Sequence, residues 1–195
     1  MEYTFPAPQL AHFAEFYFFE KIFLPHEVDK ILALWQEEEK VDGMMSSGSE
    51  TPVDESLRKS TVQYIDLTDD NRWIYDKLAM VVTQCNMQYY GFELGGFAEK
   101  LQLTHYGVDG HFEWHLDFGP KETSHRKLSI TVQLSDESEY EGGELLFFVN
   151  GKEVAAPKQK GTVVVFPSFI QHKVAKITSG KRQSIVGWAA GNPYR

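Results

Sequence analysis

Two periodicities divide the chain. Up to about residue 98, apolar positions recur at helical spacing in two stretches. Val28, Ile31, Leu32, Leu34 and Trp35 follow Pro25-His26-Glu27 and predict a helix from Pro25 through about Glu39. Trp73, Ile74, Leu78, Val81 and Val82 predict a second, from Asn71 to about Tyr90. The aromatic run Phe16–Leu24 and the segment Thr61–Leu67 read as strands. Between them, Asp42–Glu55 holds Gly43, Ser46, Ser47, Gly48, Ser49 and Pro52 and has little apolar periodicity. It reads as a long loop, of a length that in compact domains usually carries a function or lacks order. Gly91–Gly96 breaks the second helical pattern.

From Glu99 the texture changes to short β-prone runs separated by turn residues. The candidates are Lys100–Tyr106, His111–Asp117, Lys127–Leu134, Gly143–Val149, Lys152–Ala156, Thr162–Pro167, His172–Ile177 and Arg182–Ala189. Eight short strands at such spacing predict an all-β barrel or jelly roll, with helices and extra strands of the first half covering one side. The class is therefore mainly β with supporting helices (α+β). A chain of 195 residues fits one domain: 1–98 supporting the fold and 99–192 forming the strand-rich core.

Composition narrows the partners. A net charge of −9 disfavours a surface that tracks phosphates, so nucleic acid is not expected. Cys85 is the only cysteine, which excludes a disulfide framework and a thiolate zinc site, and it reads as a small buried hydrophobe. The N-terminus has no basic start before an apolar run, and no stretch approaches the length of a membrane span, so a cytoplasmic protein is expected.

The candidate chemistry lies in the histidines. From seven histidines and 28 acidic residues in 195, about one His-x-Asp/Glu pair arises by chance. This chain has two, His111-Phe-Glu113 and His115-Leu-Asp117. Residues two apart on a strand share a face, so either pair can ligate one metal, and the parity puts Phe112, Trp114, Leu116 and Phe118 opposite. A zinc site from His111 and His115 would need a helix, which Gly107, Gly110 and the β-prone run oppose. His172 offers a second imidazole, completing the two-histidine, one-carboxylate set of non-haem Fe(II) oxygenases. Thr178–Lys181 reads as a turn that returns Arg182 on the strand next to His172. Arg182 and Ser184 then share a face with Val186 and Trp188, able to hold a carboxylate by a guanidinium fork and a hydroxyl. On the first core strand, Gln102, Thr104 and Tyr106 share one face and Leu101, Leu103 and His105 the other.

Taken together, Leu101 to Trp188 resembles the 2-oxoglutarate/Fe(II) dioxygenase superfamily in its prolyl 4-hydroxylase-like branch. The resemblance is carried by Tyr106, His115-x-Asp117, Arg126 before Leu128–Leu134, and Glu141-Gly-Gly-Glu144-Leu145. It continues through Gly161 to Ser168, His172-x-Val174, Gly180-x-Arg182-x-Ser184 and Trp188. It implies a double-stranded β-helix (jelly-roll, cupin-like) fold. It implies that His115, Asp117 and His172 hold Fe(II), that Arg182 pairs with the distal carboxylate of 2-oxoglutarate and that Tyr106 hydrogen-bonds the same co-substrate. Leu145, Ser184 and Trp188 are expected beside that co-substrate, and Phe112, Trp114 and Arg126 toward the substrate. The placement of Tyr106 selects His115 over His111. O2 is the second co-substrate and ascorbate a candidate reductant. Before Leu57-Arg58-Lys59-Ser60, prolyl hydroxylases carry a loop that closes over the peptide, which assigns Gly43–Glu55 as a candidate lid. Two positions depart from the pattern: Arg182 stands where collagen-type enzymes have lysine, and Phe112 where several peptidyl-prolyl hydroxylases have tyrosine.

The leading expectation is hydroxylation of a peptidyl residue, proline first. The same machinery acting on a free amino acid or small metabolite is the alternative, and a non-catalytic binding barrel is the reading from another class. A nucleobase demethylase would add an arginine at the position of Trp188.

Overall fold

The computed structural model describes residues 14–43, 54–97 and 99–193. The candidate lid of Gly43–Glu55 falls largely outside them. The strands are β1 (Tyr17–Phe19), β2 (Val41–Asp42), β3 (Arg58–Lys59), β4 (Thr61–Ile65), β5 (Gly96–Phe97), β6 (Leu101–Tyr106), β7 (His111–His115), β8 (Arg126–Gln133), β9 (Tyr140–Gly142), β10 (Leu145–Val149), β11 (Lys152–Ala155), β12 (Val163–Pro167), β13 (His172–Val174), β14 (Ile177–Gly180) and β15 (Arg182–Ala190). The helices are α1 (Pro25–Leu32) and α2 (Arg72–Cys85).

A major antiparallel sheet runs β1-β12-β8-β15-β6-β4-β2, with β5 also on β15. A minor sheet runs β11-β10-β13-β7-β3, and β14 pairs with β9 alone. Alternation along each strand decides which layer a side chain enters. On β8, Leu128, Ile130 and Val132 join α1 and α2 in one apolar core, as do Val163 and Val165 on β12 and Ile185 and Ala189 on β15. Burying each such side chain contributes roughly 1.5–3 kcal/mol. The opposite faces turn toward the minor sheet, where Tyr106, Tyr140, Leu145, Phe147, Phe166 and Val174 form a second, smaller core. This is the expected α+β jelly roll, with the helices on one side only.

Two helical boundaries differ from the expectation. α1 stops at Leu32, short of Glu39. Gln63 holds the chain beyond it by accepting from the Gln36 N–H (2.7 Å) and donating to the Leu34 carbonyl (2.8 Å), while Trp35 stacks on His105 at 3.4 Å. These tertiary contacts override the apolar periodicity. α2 runs from Arg72 to Cys85, then widens into one π turn over Asn86–Tyr90 and ends at Gly91, whose φ of 70° suits glycine. Cys85 is buried, and burial pushes its thiol up to about 12. The run Phe16–Leu24 is a strand only over Tyr17–Phe19.

Candidate metal centre and its pocket

The strand that carries the first histidine is irregular. β7 pairs with β13 in a register that shifts between His172 and Val174, so His172 faces His115 while Val174 faces Phe112. Strict alternation is thereby lost. Phe112 stacks on the His115 ring at 3.5 Å, on the same side and not the opposite one. The strand ends at His115 and not at Asp117. Leu116 turns outward, and the chain folds back because the N–H groups of Asp117 and Phe118 both donate to the Ser168 carbonyl (3.0 and 2.9 Å). The carboxylate therefore enters the site from a turn.

Three potential ligand atoms, one each from His115, Asp117 and His172, lie within 4.8 Å of one another. His115 Nε2 is 3.7 Å from Asp117 Oδ1, and His172 Nε2 is 3.5 Å from Asp117 Oδ2. Each Nδ1 lies against a main-chain carbonyl: His115 on Glu113 at 2.7 Å, His172 on Ile170 at 2.9 Å. A carbonyl only accepts, so Nδ1 carries a proton on each ring, and each Nε2 is turned toward the carboxylate. Burial, with the neighbouring His172 second, pushes the His115 pKa down to about 3. Burial would raise the Asp117 pKa, but the two imidazoles, the Ser129 hydroxyl and Arg126 together hold it down at about 2. The imidazole of His115 is neutral and the carboxylate ionised near neutral pH, which is the state a metal requires.

The rival pair takes no part. The Glu113 side chain is exposed, and both ring nitrogens of His111 face carbonyls, those of Asp109 (2.9 Å) and Ser56 (3.2 Å). The strand geometry also rules out the helical zinc arrangement.

Two connected cavities open on the three residues. The inner one, about 40 Å³, is lined by Tyr106, Thr131, Leu145, Phe166, Arg182 and Trp188, among others. The outer one, about 220 Å³, reaches Asp42, Tyr64, Glu99, Thr123 and Arg126; Arg58, Gln102, Phe112 and Trp188 line both. Two wider depressions elsewhere, about 530 and 570 Å³, border none of the three.

Arg182 sits at the inner end, 1% exposed. Its Nη1 donates to Ser184 Oγ (3.3 Å) and its Nη2 to Gln133 Oε1 (3.0 Å), its Cζ lies 5.5 Å from the Tyr106 ring centre, and its buried Nε has no acceptor. Arg182 does not return on the strand beside His172: β13 belongs to the minor sheet and β15 to the major one. The expected turn at Thr178–Lys181 is largely β14, which pairs with β9. The arginine reaches the site across the layers instead.

The remaining expected residues divide. Tyr106, Leu145, Phe112 and Trp188 line the cavities. Ser184 is fully buried and holds Arg182 without lining either cavity. Arg126 lines the outer cavity, but its fork is engaged by Glu99 (2.6 and 2.7 Å), its Nη1 donates to the Asp117 carbonyl and its guanidinium lies 3.7 Å over Trp188. Trp114 lines neither cavity, because it packs edge-on to Phe148 on the outer face with Lys173 over its ring. Three residues escaped the sequence reading. Ser129 donates to Asp117 Oδ2 at 2.6 Å, Gln133 accepts from Arg182, and the Tyr140 hydroxyl lies against Arg182, burial raising its pKa against the pull of that cation. The signal for the first two was Leu-Ser-Ile-Thr-Val-Gln at 128–133, a strand whose polar alternates are all buried.

Residues 101–190 match the family model of the 2OG-Fe(II) oxygenase superfamily. Among curated relatives, the chain is 42% identical over 83 residues to a PKHD-type hydroxylase of Synechococcus sp. (strain CC9902), covering 42% of this chain and 36% of that protein. It is 32% identical over 92 residues to one from Prochlorococcus marinus (strain MIT 9515), covering 47% and 39%. The matched part thus spans well under half the length of these relatives. Among solved structures, a Pseudomonas putida prolyl-4-hydroxylase superposes with a TM-score of 0.73 at 20% identity, over 91% of this chain and 93% of that one. A Trichoplax adhaerens prolyl hydroxylase, in complex with a hypoxia inducible factor oxygen degradation domain peptide fragment, gives 0.74 at 16% identity, over 90% and 83%. These likenesses establish the fold. Residues 101–190, which carry the two histidines, the carboxylate and the buried arginine, thus match the 2OG-Fe(II) oxygenase superfamily, and the fold is the one seen in the prolyl hydroxylase structures.

Proposed function

We propose that this chain is an Fe(II)- and 2-oxoglutarate-dependent dioxygenase that hydroxylates a peptidyl residue, with proline the first candidate. The observation that carries this reading is the pairing of two centres in one connected pocket. At one, the Nε2 atoms of two imidazoles converge on a buried carboxylate, the donor set that suits a divalent cation. At the other, a buried guanidinium retains an unsatisfied donor. The residues fit the group: His115, Asp117 and His172 would hold Fe(II), and Arg182, steadied by Ser184 and Gln133, would receive the distal carboxylate of 2-oxoglutarate. When bound, the iron supplies the coupling of 2-oxoglutarate decarboxylation to oxygen insertion.

The chain's own work is orientation and exclusion. The carbonyls of Glu113 and Ile170 fix both imidazole tautomers. Phe112, Phe166 and Trp188 give the cavity apolar walls, which strengthens the hold of Arg182 on an anion. The backbone at Gly143 supports this end too: its φ is 65°, and a Cβ there would lie 2.2 Å from Ile177 Cδ1 and 3.2 Å from Arg182 Cδ. The outer cavity is the larger of the two, about 220 Å³, room for a side chain presented on a polypeptide. The prolyl hydroxylase structures and the PKHD-type relatives support this substrate class. Among the described residues no helix is long and apolar enough to cross a membrane; cytoplasmic residence and ascorbate as reductant belong to the proposal.

The test is anaerobic Fe(II) loading, followed by 2-oxoglutarate turnover in air with a library of proline-containing peptides or free amino acids. Succinate release coupled to a peptide that gains the mass of one oxygen is the expected result. Gain on free amino acids alone would promote the metabolite hydroxylase. Absence of both Fe(II) binding and 2-oxoglutarate binding would leave a non-catalytic barrel.

A further inference from the structure

Asp117 has an internal partner outside the expected ligand set. Ser129 lies on β8, in the sheet opposite the turn that carries Asp117, and is 1% exposed. Its hydroxyl lies 2.6 Å from Asp117 Oδ2 and 3.0 Å from Ser168 Oγ. A hydroxyl has one proton. A carboxylate that serves as a metal ligand can only accept, so that proton goes to Asp117 Oδ2. Ser168 then supplies its own proton to Ser129, giving a directed chain from Ser168 through Ser129 to Asp117. Such chains polarise one another, so the last bond is stronger than an isolated one. Ser168 is fully buried, and its main chain already fixes the turn: its carbonyl accepts from Asp117 and Phe118, and its N–H donates to Lys127. Backbone and hydroxyl chain hold the same turn at both ends.

We propose that Ser129, relayed by Ser168, is a positioning residue that ties down Asp117 Oδ2 and leaves Oδ1 as the oxygen offered to a metal. This rests on the Fe(II) reading above. A carboxylate bound through one oxygen occupies one coordination position, whereas both oxygens would take two. With two imidazoles already bound, the difference decides whether a bidentate keto acid and a further ligand fit together around an octahedral ion. Ser129 thus acts on metal affinity and on coordination number through Asp117, without touching either co-substrate.

The experiment uses Co(II) as the probe in the full chain, read by its visible ligand-field spectrum and by titration, with circular dichroism and thermal melting as fold controls. Outer partners of metal ligands typically alter metal affinity by about 10–100-fold, and Ser129→Ala should weaken Co(II) binding on that scale. Its spectrum should shift toward that of a changed coordination number, and the shift on adding 2-oxoglutarate should shrink. Ser129→Thr, which keeps the hydroxyl, should return affinity to within about threefold of the parent with the parent spectrum. Ser168→Ala leaves Ser129 in place and should give a smaller loss in the same direction. A parent chain that binds no Co(II) would defeat the metal reading itself. A parent that binds, with Ser129→Ala or, should that variant not fold, Ser168→Ala indistinguishable from it in affinity and spectrum, would overturn this proposal alone.

Discussion

Replacing Arg182 with methionine separates binding from stability. In the ligand-free protein this side chain is a buried cation that donates to Ser184 and Gln133, both neutral, with the Tyr140 hydroxyl also against it. Hydrogen bonds from a charged donor contribute roughly 1.5–3 kcal/mol each, so the pair returns about 3–6 kcal/mol. Withdrawing the guanidinium from water costs several kcal/mol, which nearly cancels that return. Arg182→Met removes both terms while filling similar space, so the ligand-free variant should unfold within about 5 °C of the parent. Ligand binding should respond very differently. Losing one partner of a desolvated charge pair costs roughly 2–5 kcal/mol, or about 30-fold to several thousandfold in 2-oxoglutarate affinity. The assay is thermal unfolding of the metal-loaded protein with and without 2-oxoglutarate. At a hundredfold excess over Kd, the co-substrate stabilises the parent by about 2.7 kcal/mol. For a chain of this size that is a rise of about 5–10 °C. In Arg182→Met at the same concentration the rise should shrink to about 3 °C or less, while metal affinity is retained. An undiminished rise in the variant would show that another cation receives the acid and would refute the reasoning.

Asp117→Ala should abolish metal binding with the sheets intact, whereas Glu113→Ala, at an exposed position, should bind metal like the parent; isothermal titration distinguishes the two, and the reverse pattern would move the site to the rival pair. The buried ring of His105, stacked on Trp35 beside the Gln183 amide, has its pKa pushed down to about 3, by burial first and by Lys181 second. Its unfolded pKa is near 6.5, so between about 6.5 and 3 the unfolded chain binds the extra proton and stability falls as pH falls. His105→Phe keeps the stack and removes the titration. Its urea midpoint should therefore drop less than the parent's between about pH 7 and about pH 5, and equal drops would exclude His105 as a source of acid sensitivity.

Much of the architecture was legible because burial writes periodicity into sequence. Leu101, Leu103 and His105 against Gln102, Thr104 and Tyr106 told the two faces of β6 apart, and Arg182, Ser184, Val186 and Trp188 marked the inward face of β15. The family motif carried His115, Asp117 and His172 to one place before any coordinates did. The failures came where a contact between distant segments overrode a local pattern. Gln63 and His105 ended α1 early, and a register shift between β7 and β13 put Phe112 on the side of His115. Which sheet carried Arg182 depended on β14 pairing with β9, a long-range ladder with no local signature. Sequence by itself thus determined the residue types, the alternation and the candidate chemistry, because these follow from side chains and their neighbours along the chain. Tertiary structure alone decided that Asp117 comes from a turn pinned by Ser168, that Ser129 and Gln133 hold the charged groups, and that Trp114 faces outward. Those outcomes depend on which strands lie side by side across the two sheets, and pairing between remote segments is not encoded at any one position.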